Sequence, residues 1–199
     1  MIIDPKDLDA QSVYKLLIGS VVPRPIAWTS TVSKKRIRNL APFSFFTVAS
    51  RNPPMLCISV GPRPGGDVEK DTLSNVEEMG EFVVNIVSLS LSNTMHESSK
   101  NHPPEADEFE RAGLTPAPCE IVGAPRVEEA GVSMECILDR VLPLGTDHLV
   151  IGRIVRFHVR DELYGENGRI DVSSLDPLGR LAGNYTKVET IFELPADEL

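Results

Sequence analysis

A chain of 199 residues, 41% of them hydrophobic, has the length and apolar content of one ordinary domain spanning 1–199. Its 20 basic residues against 29 acidic give a formal charge of −9, which disfavours nucleic acid and anionic membranes as partners, so an anionic ligand has to be met by a local basic patch. Met1-Ile2-Ile3-Asp4-Pro5 does not open a signal peptide, and no apolar run approaches the ~20 residues that span a bilayer, so the expectation is a soluble, cytoplasmic protein.

In chain order, Val13, Leu16 and Leu17 stand at helical spacing behind a possible Ser12 cap, predicting a helix over 12–18 that Gly19 stops. After the break at 23–25, residues 26–32 read as a strand. The basic turn Lys34-Lys35-Arg36 leads to a second run through Phe43, Phe45, Phe46 and Val48, a hairpin with a wide tip. A third strand, 55–60, follows Pro53-Pro54 and ends at the irregular turn 61–66. Asp71 or Thr72 can cap a helix to about Met79, and 81–87, rich in β-branched residues, predicts a central strand. Ser88 or Ser90 begins another helix reaching about Ser99.

Residues 101–113 are polar, acidic and proline-bearing, and predict a surface excursion with a short helix at 108–111. Two long strands, 132–142 and 148–159, form an antiparallel hairpin through the turn 143–147. Glu166-Asn167-Gly168 is a turn, 175–185 is irregular, and a last short strand covers 187–192. Six or seven strands linked mostly without crossovers favour an antiparallel barrel over a doubly wound sheet, with no repeat or low-complexity segment.

Several chemistries lack their motifs. There is no G-x-G-x-x-G, no phosphate loop of the G-x-x-x-x-G-K-[ST] kind, no G-x-S-x-G elbow, and His96 does not open an H-E-x-x-H. Cys57, Cys119 and Cys136 are odd in number and widely spaced, suggesting neither a disulfide framework nor a zinc site, so no metal is expected. Asn184-Tyr185-Thr186 matches a glycosylation sequon, which carries no meaning without export.

Three clusters stand out: Arg24 to Thr31 (RPIAWTST), Asn39 to Phe46 (NLAPFSFF) and Lys70 to Asn75 (KDTLSN). The Lys70-Asp71-Thr72 turn offers an ammonium, a hydroxyl and unpaired amides to a phosphate, or Asp71 or Thr72 merely caps the helix. Along 39–46, alternation sends Ser44 to the face opposite Phe43 and Phe45, so the phenylalanines either pack or border a ligand.

In this order, with a PP-preceded strand and EFVVN, the motifs resemble the flavin reductase-like family, closely over 14–86 and loosely beyond. The resemblance implies a mainly β, antiparallel Greek-key split β-barrel with a few short peripheral helices, binding FMN and using NADH or NADPH as co-substrate. It places Ala27, Trp28 and Thr29 along the ring, with Trp28 lining the pocket or simply packing, counts Pro25 and Ile26 among the cofactor-binding residues, and leaves Arg24, just before them, either supplying charge near the flavin or lying on the surface. It adds Asn39, Ala41, Pro42, Phe43, Ser44 and Phe45 around the pocket, with Ser59, Lys70, Asp71, Thr72 and Asn75. His148 is the candidate on the nicotinamide side, and Arg180 and Tyr185 approach the flavin from the C-terminal end.

The implied reaction is hydride transfer from nicotinamide C4 to flavin N5, which needs alignment rather than a protein nucleophile. The implied assembly is a homodimer with the flavin at the subunit boundary, where 101–113 could cross to the partner. Reduced flavin then serves a partner monooxygenase. The alternative is a flavoredoxin-like electron-transfer protein that keeps FMN and is reduced by another protein.

Overall fold

The computed structural model describes residues 1–63 and 69–192; positions 64–66 of the expected turn and the C-terminal end beyond 192 lie outside them. Helix α1 (Ala10–Ser20) starts before the expected Ser12, because Asp9 is the cap: its carboxylate accepts the Ser12 N–H at 2.8 Å and the Ser12 hydroxyl at 2.9 Å. Strands β1 (Ala27–Val32) and β2 (Arg38–Phe43) form the first hairpin, with Arg36 at φ 65° in its tip.

The expected second run does not continue to Val48. It breaks at Ser44 and Phe45, and β3 (Phe46–Arg51) pairs instead with β4 (Pro54–Val60). An aromatic pattern runs through such a bend unchanged, because burial does not say which neighbour a strand pairs with. Helix α2 (Asp71–Met79) ends at Gly80, whose φ of 70° is the left-handed conformation that glycine adopts freely. Strand β5 (Glu81–Ile86) is central as expected, and a 3-10 turn leads into α3 (Ser92–Ser98).

The 101–113 segment is less superficial than its composition implies. Its helix α4 (Glu108–Ala112) is capped by Asp107 and buries both Glu108 and Phe109, the latter completely. Short strands β6 (Pro116–Ala117) and β7 (Arg126–Val127) pair with each other. The long hairpin follows as β8 (Val132–Leu144) and β9 (Asp147–Val159). After α5 (Val172–Leu175), β10 (Leu178–Arg180) pairs with β11 (Tyr185–Lys187), so the last strand lies earlier than the expected 187–192 and runs through Tyr185.

Seven antiparallel strands make one sheet in the order β2-β1-β5-β8-β9-β4-β3. Its two edges, β2 and β3, are consecutive in the chain, so the sheet curls until they approach, giving the expected split barrel. Phe82, Val84, Leu56, Ile58, Val150 and Met134 fill the interior, and Leu73 and Val76 of α2 join the same core. Gly152 belongs to this packing: a Cβ there would lie 2.3 Å from the Phe82 ring. On the outer face, Trp28, Leu40, Met95 and Phe109 form a second core under α3 and α4, so β1 is buried along its whole length rather than alternately.

The connection from β6 to β7 crosses the outer face of β5 and β8, held by two carboxylates. Glu135 accepts the N–H groups of Glu120, Ile121 and Val122 at 2.9, 2.7 and 3.0 Å, and His158 Nε2 lies 2.6 Å from it. Glu81 accepts those of Gly123 and Ala124 at 2.7 and 3.1 Å. Burial pushes the Glu135 pKa up, but these donors outweigh it and hold the group below the ordinary carboxylate range. Its stabilisation is therefore present above the usual Glu pKa and lost as pH falls through the lowered one. Glu135→Ala strands three N–H groups and should cost on the order of 3 kcal/mol or more in urea unfolding at pH 7. His158→Ala should cost clearly less, and equal losses for the two variants would contradict this assignment.

Candidate functional site

A cavity of about 260 Å³ opens beside the bend that joins the two edge strands. Of the residues singled out in the sequence, it brings together Arg24, Ile26, Asn39, Ala41, Pro42, Phe43, Ser44, Lys70, Asp71, Thr72, Arg180 and Tyr185. Ile26, Ala41, Pro42 and Phe43 give it an apolar wall, to which Met95 adds.

Lys70 precedes α2 and provides no side-chain cap, so neither Asp71 nor Thr72 occupies the cap position expected of them. The Asp71 and Thr72 N–H groups have no acceptor among the described residues, as helix starts leave them. The Lys70 ammonium lies 5.1 Å from the centre of the Phe43 ring. Burial pushes its pKa down, Arg63 adds to this, and Asp147 opposes it. No hydrogen-bond partner for Lys70 is found among the described residues. Arg63 is anchored on Asp71 and on the His102 carbonyl. A buried polar chain supports this corner from within: Thr72 Oγ1 donates to Asn39 Oδ1 at 2.8 Å, Thr31 Oγ1 donates to the same oxygen at 3.2 Å, and Asn75 Nδ2 donates to Thr31 at 3.0 Å.

Arg24 is not a surface residue. It is 5% exposed, and its guanidinium donates to the carbonyls of Ile18 (2.7 Å), Val21 (2.9 Å) and Leu181 (2.8 Å) and to Ser44 Oγ at 3.4 Å. It thereby satisfies carbonyls at the C-terminal end of α1 and ties β10 to the barrel. The backbones of Arg24 and Arg180 exchange two hydrogen bonds of 2.8 Å, and the Arg180 guanidinium stacks 4.3 Å from the centre of the Tyr185 ring.

The remaining candidates stand elsewhere. Ala27 and Thr29 face the packed interior, and Pro25 is not part of the wall. Trp28 is fully buried and donates through Nε1 to Ser98 Oγ at 2.9 Å. Ser44 sits in the bend rather than on a strand, so Phe43 turns inward while Phe45 stays 36% exposed. The Arg24 guanidinium carbon lies 5.8 Å from the Phe45 ring. Ser59 donates to Asp147 at 3.0 Å. Asn75 lines a neighbouring cavity, and His148 pairs across the sheet with Val60 and Pro143.

The sequence reading missed Tyr14, Arg63, Met95, Ser98, Ser99, Lys100, Asn101, His102 and Glu108 in the wall. The polar run SSKNH after a helix was the available signal for part of this set; nothing in the sequence marked Glu108. Its carboxyl is 6% exposed and accepts the Leu40 N–H at 3.3 Å. Burial raises its pKa to about 7, the Leu40 N–H and Asn39 lower it in part, and Asp71 raises it further.

Among the described residues, Cys119, Glu135 and His158 also bring possible metal-ligand atoms within 4.8 Å of one another. The Glu135 oxygens are already filled by three N–H groups and His158, and burial followed by the Glu135 charge raises the Cys119 thiol to about 12. That chemistry suits a structural clip rather than an ion. No described helix is long and apolar enough to cross a membrane.

The family model for the flavin reductase like domain matches residues 18–189. This chain belongs to the flavin reductase-like family. A relative from Aquifex aeolicus is 45% identical over 180 residues, covering 90% of this chain and 91% of its own. Nitrilotriacetate monooxygenase component B from Bacillus cereus has a structure similar at a TM-score of 0.94, with 42% identity over 98% of both chains. The 2-nitrobenzoate 2-nitroreductase NbaA of Pseudomonas fluorescens matches at 0.88, with 30% identity over 100% of this chain and 98% of that one.

The cavity of this flavin reductase-like chain suits the group its family binds. An ammonium and two helix-start amides without partners among the described residues, with the Ser44 hydroxyl, match a phosphate, and the apolar wall matches a flat ring. Arg24→Ala should cost about 2–4 kcal/mol by orphaning buried carbonyls. Hydrogen exchange should then accelerate at Leu178–Arg180 and Tyr185–Lys187 more than in β5, and uniform protection would contradict the anchoring role. Arg24→Lys should restore only part of the loss, since an ammonium cannot span three carbonyls in a planar fork.

Proposed function

We propose that this chain is an FMN-dependent NAD(P)H:flavin oxidoreductase that works in the cytoplasm as a homodimer and supplies reduced flavin to a partner monooxygenase. The observation that carries the reading is the convergence of Lys70, Thr72 and Ser44 beside an apolar wall in one cavity. Lys70, the first-turn amides of α2 and the Ser44 hydroxyl hold the phosphate, and Thr72, whose hydroxyl donates to Asn39, braces the turn behind them. Ile26, Pro42 and Met95 exclude water from one side of the ring, and Arg24, fixed by backbone carbonyls, places a charge that needs no reorganisation. When bound, FMN supplies the redox chemistry, taking hydride from nicotinamide C4 at its N5. The protein's share is alignment, which is consistent with a site built without a nucleophile and its base. His148, at the start of β9, is the side chain we assign to the nicotinamide side.

The cavity, about 260 Å³, lies just below the roughly 300–1,000 Å³ typical of small-molecule sites, which fits a flavin whose site is completed by a second surface at a subunit boundary. Similarity to a monooxygenase component B supports the delivery role.

The purified protein should show a flavin absorbance band, alone or after addition of FMN, that bleaches anaerobically with NADH or NADPH. Lys70→Ala/Thr72→Ala should weaken FMN binding at least about tenfold, as loss of charge-assisted phosphate contacts predicts. A protein that never takes up FMN overturns the reading. Bound FMN that neither nucleotide reduces would instead indicate electron transfer from another protein.

A further inference from the structure

Glu108 has no part in the reading above, yet it stands in the wall of the cavity. It also lines a second cavity of about 320 Å³, and with Asn39 and Asp71 it forms the partition between the two. No cation is within ion-pairing distance of its carboxyl among the described residues, and the 3.3 Å bond from the Leu40 N–H is a long one. A carboxylate so placed faces the same space as a phosphate held at Lys70, at an effective dielectric well below that of water.

We propose that Glu108 is a positioning residue that couples occupancy of the phosphate corner to uptake of a proton: an anionic ligand is held firmly when the Glu108 carboxyl is neutral and is opposed when it is charged. This rests on the flavin reading, with FMN as the anion. Occupancy of the corner by a phosphate makes a second negative charge in the wall less favourable, so the carboxyl binds a proton from solvent. The free group already has its pKa raised to about 7, so the coupling falls at neutral pH.

The charged neighbours leave Glu108 as the group that responds. From α2, Asp71 adds negative charge but is anchored by Arg63. From β2, Arg38 is taken by Asp107 at 2.5 Å. From α3, Glu97 is paired with Lys100 at 2.5 Å, and His96 is on the same helix. His102 and Lys70 share the first cavity; across the second are Lys34, paired with Glu78 at 3.2 Å, with Lys35 and Glu105. Of these, Asp71 is the one whose charge raises the Glu108 pKa.

The test is FMN affinity by flavin fluorescence from pH 6 to 8.5, with calorimetry at pH 8 in two buffers of different ionisation enthalpy. For the native chain, Kd should rise above pH 7 by up to about tenfold per pH unit, the limit for one linked proton, and binding should take up protons. Glu108→Gln should bind FMN like the native chain at pH 6 and about tenfold more tightly at pH 8.5, with less uptake. Glu108→Asp should restore the pH dependence. FMN's own phosphate ionisation is common to all three proteins and cancels between them. If Glu108→Gln does not fold, the native proton count decides, and no uptake at pH 8 overturns the proposal. Identical pH profiles for native and Glu108→Gln overturn it while leaving the flavin reading intact; refusal of FMN by both at every pH brings down both.

Discussion

The two residues Ser44 and Phe45 join strands that lie at opposite edges of a seven-stranded sheet. So short a link cannot cross a flat sheet of that width, because adjacent strands are about 4.8 Å apart. The sheet must roll up until β2 and β3 nearly touch. The rolled edges bond little with each other, and Ser59 N–H to the Phe45 carbonyl at 2.8 Å marks where the bend is pinned to β4. The candidate cavity lies at this unsealed seam, so closure of the barrel and creation of the site are one event.

Around the seam, polar groups are buried only where backbone or side-chain partners meet them. Asn85 shows the rule at the centre of the sheet: its amide donates to the Trp28 carbonyl at 2.9 Å and accepts from the Val127 N–H at 2.9 Å and the Ser133 hydroxyl at 2.8 Å. Arg24 does the same for α1 and the C-terminal strand pair, and Glu135 and Glu81 for the crossing chain. Lys70 and Glu108 stand apart in charge rather than in burial alone. Among the described residues the half-buried Lys70 ammonium has no hydrogen-bond partner and the Glu108 carboxyl, though it accepts the Leu40 N–H, has no cation within ion-pairing distance, and both line the same cavity. Functional sites are where such unmet groups are retained.

Much of the site was legible in the sequence. The motifs at Arg24, Asn39–Ser44 and Lys70–Thr72 do meet, as do the distant Arg180 and Tyr185. Trp28 and Asn75 were harder to place, because an aromatic on a strand or an amide on a helix reads alike whether its face meets a ligand or another packed element. Here α3 covers Trp28 and supplies Ser98 as its partner. Glu108 was out of reach, since an acidic, proline-bearing stretch gives no sign that one of its carboxylates is buried.

By itself the sequence determined the local order: the hairpin of β8 and β9, the central place of β5, and the helix that follows Lys70 and ends near Met79. Each follows from side-chain periodicity, turn chemistry or capping, which act over a few residues. Tertiary structure alone decided that β2 and β3 part to opposite edges, that α4 sinks Phe109 into the outer core, and that Glu108 and Lys70 share one cavity. Those outcomes depend on which surfaces are covered when the sheet closes, and burial is a property of the assembled molecule rather than of any short stretch of chain.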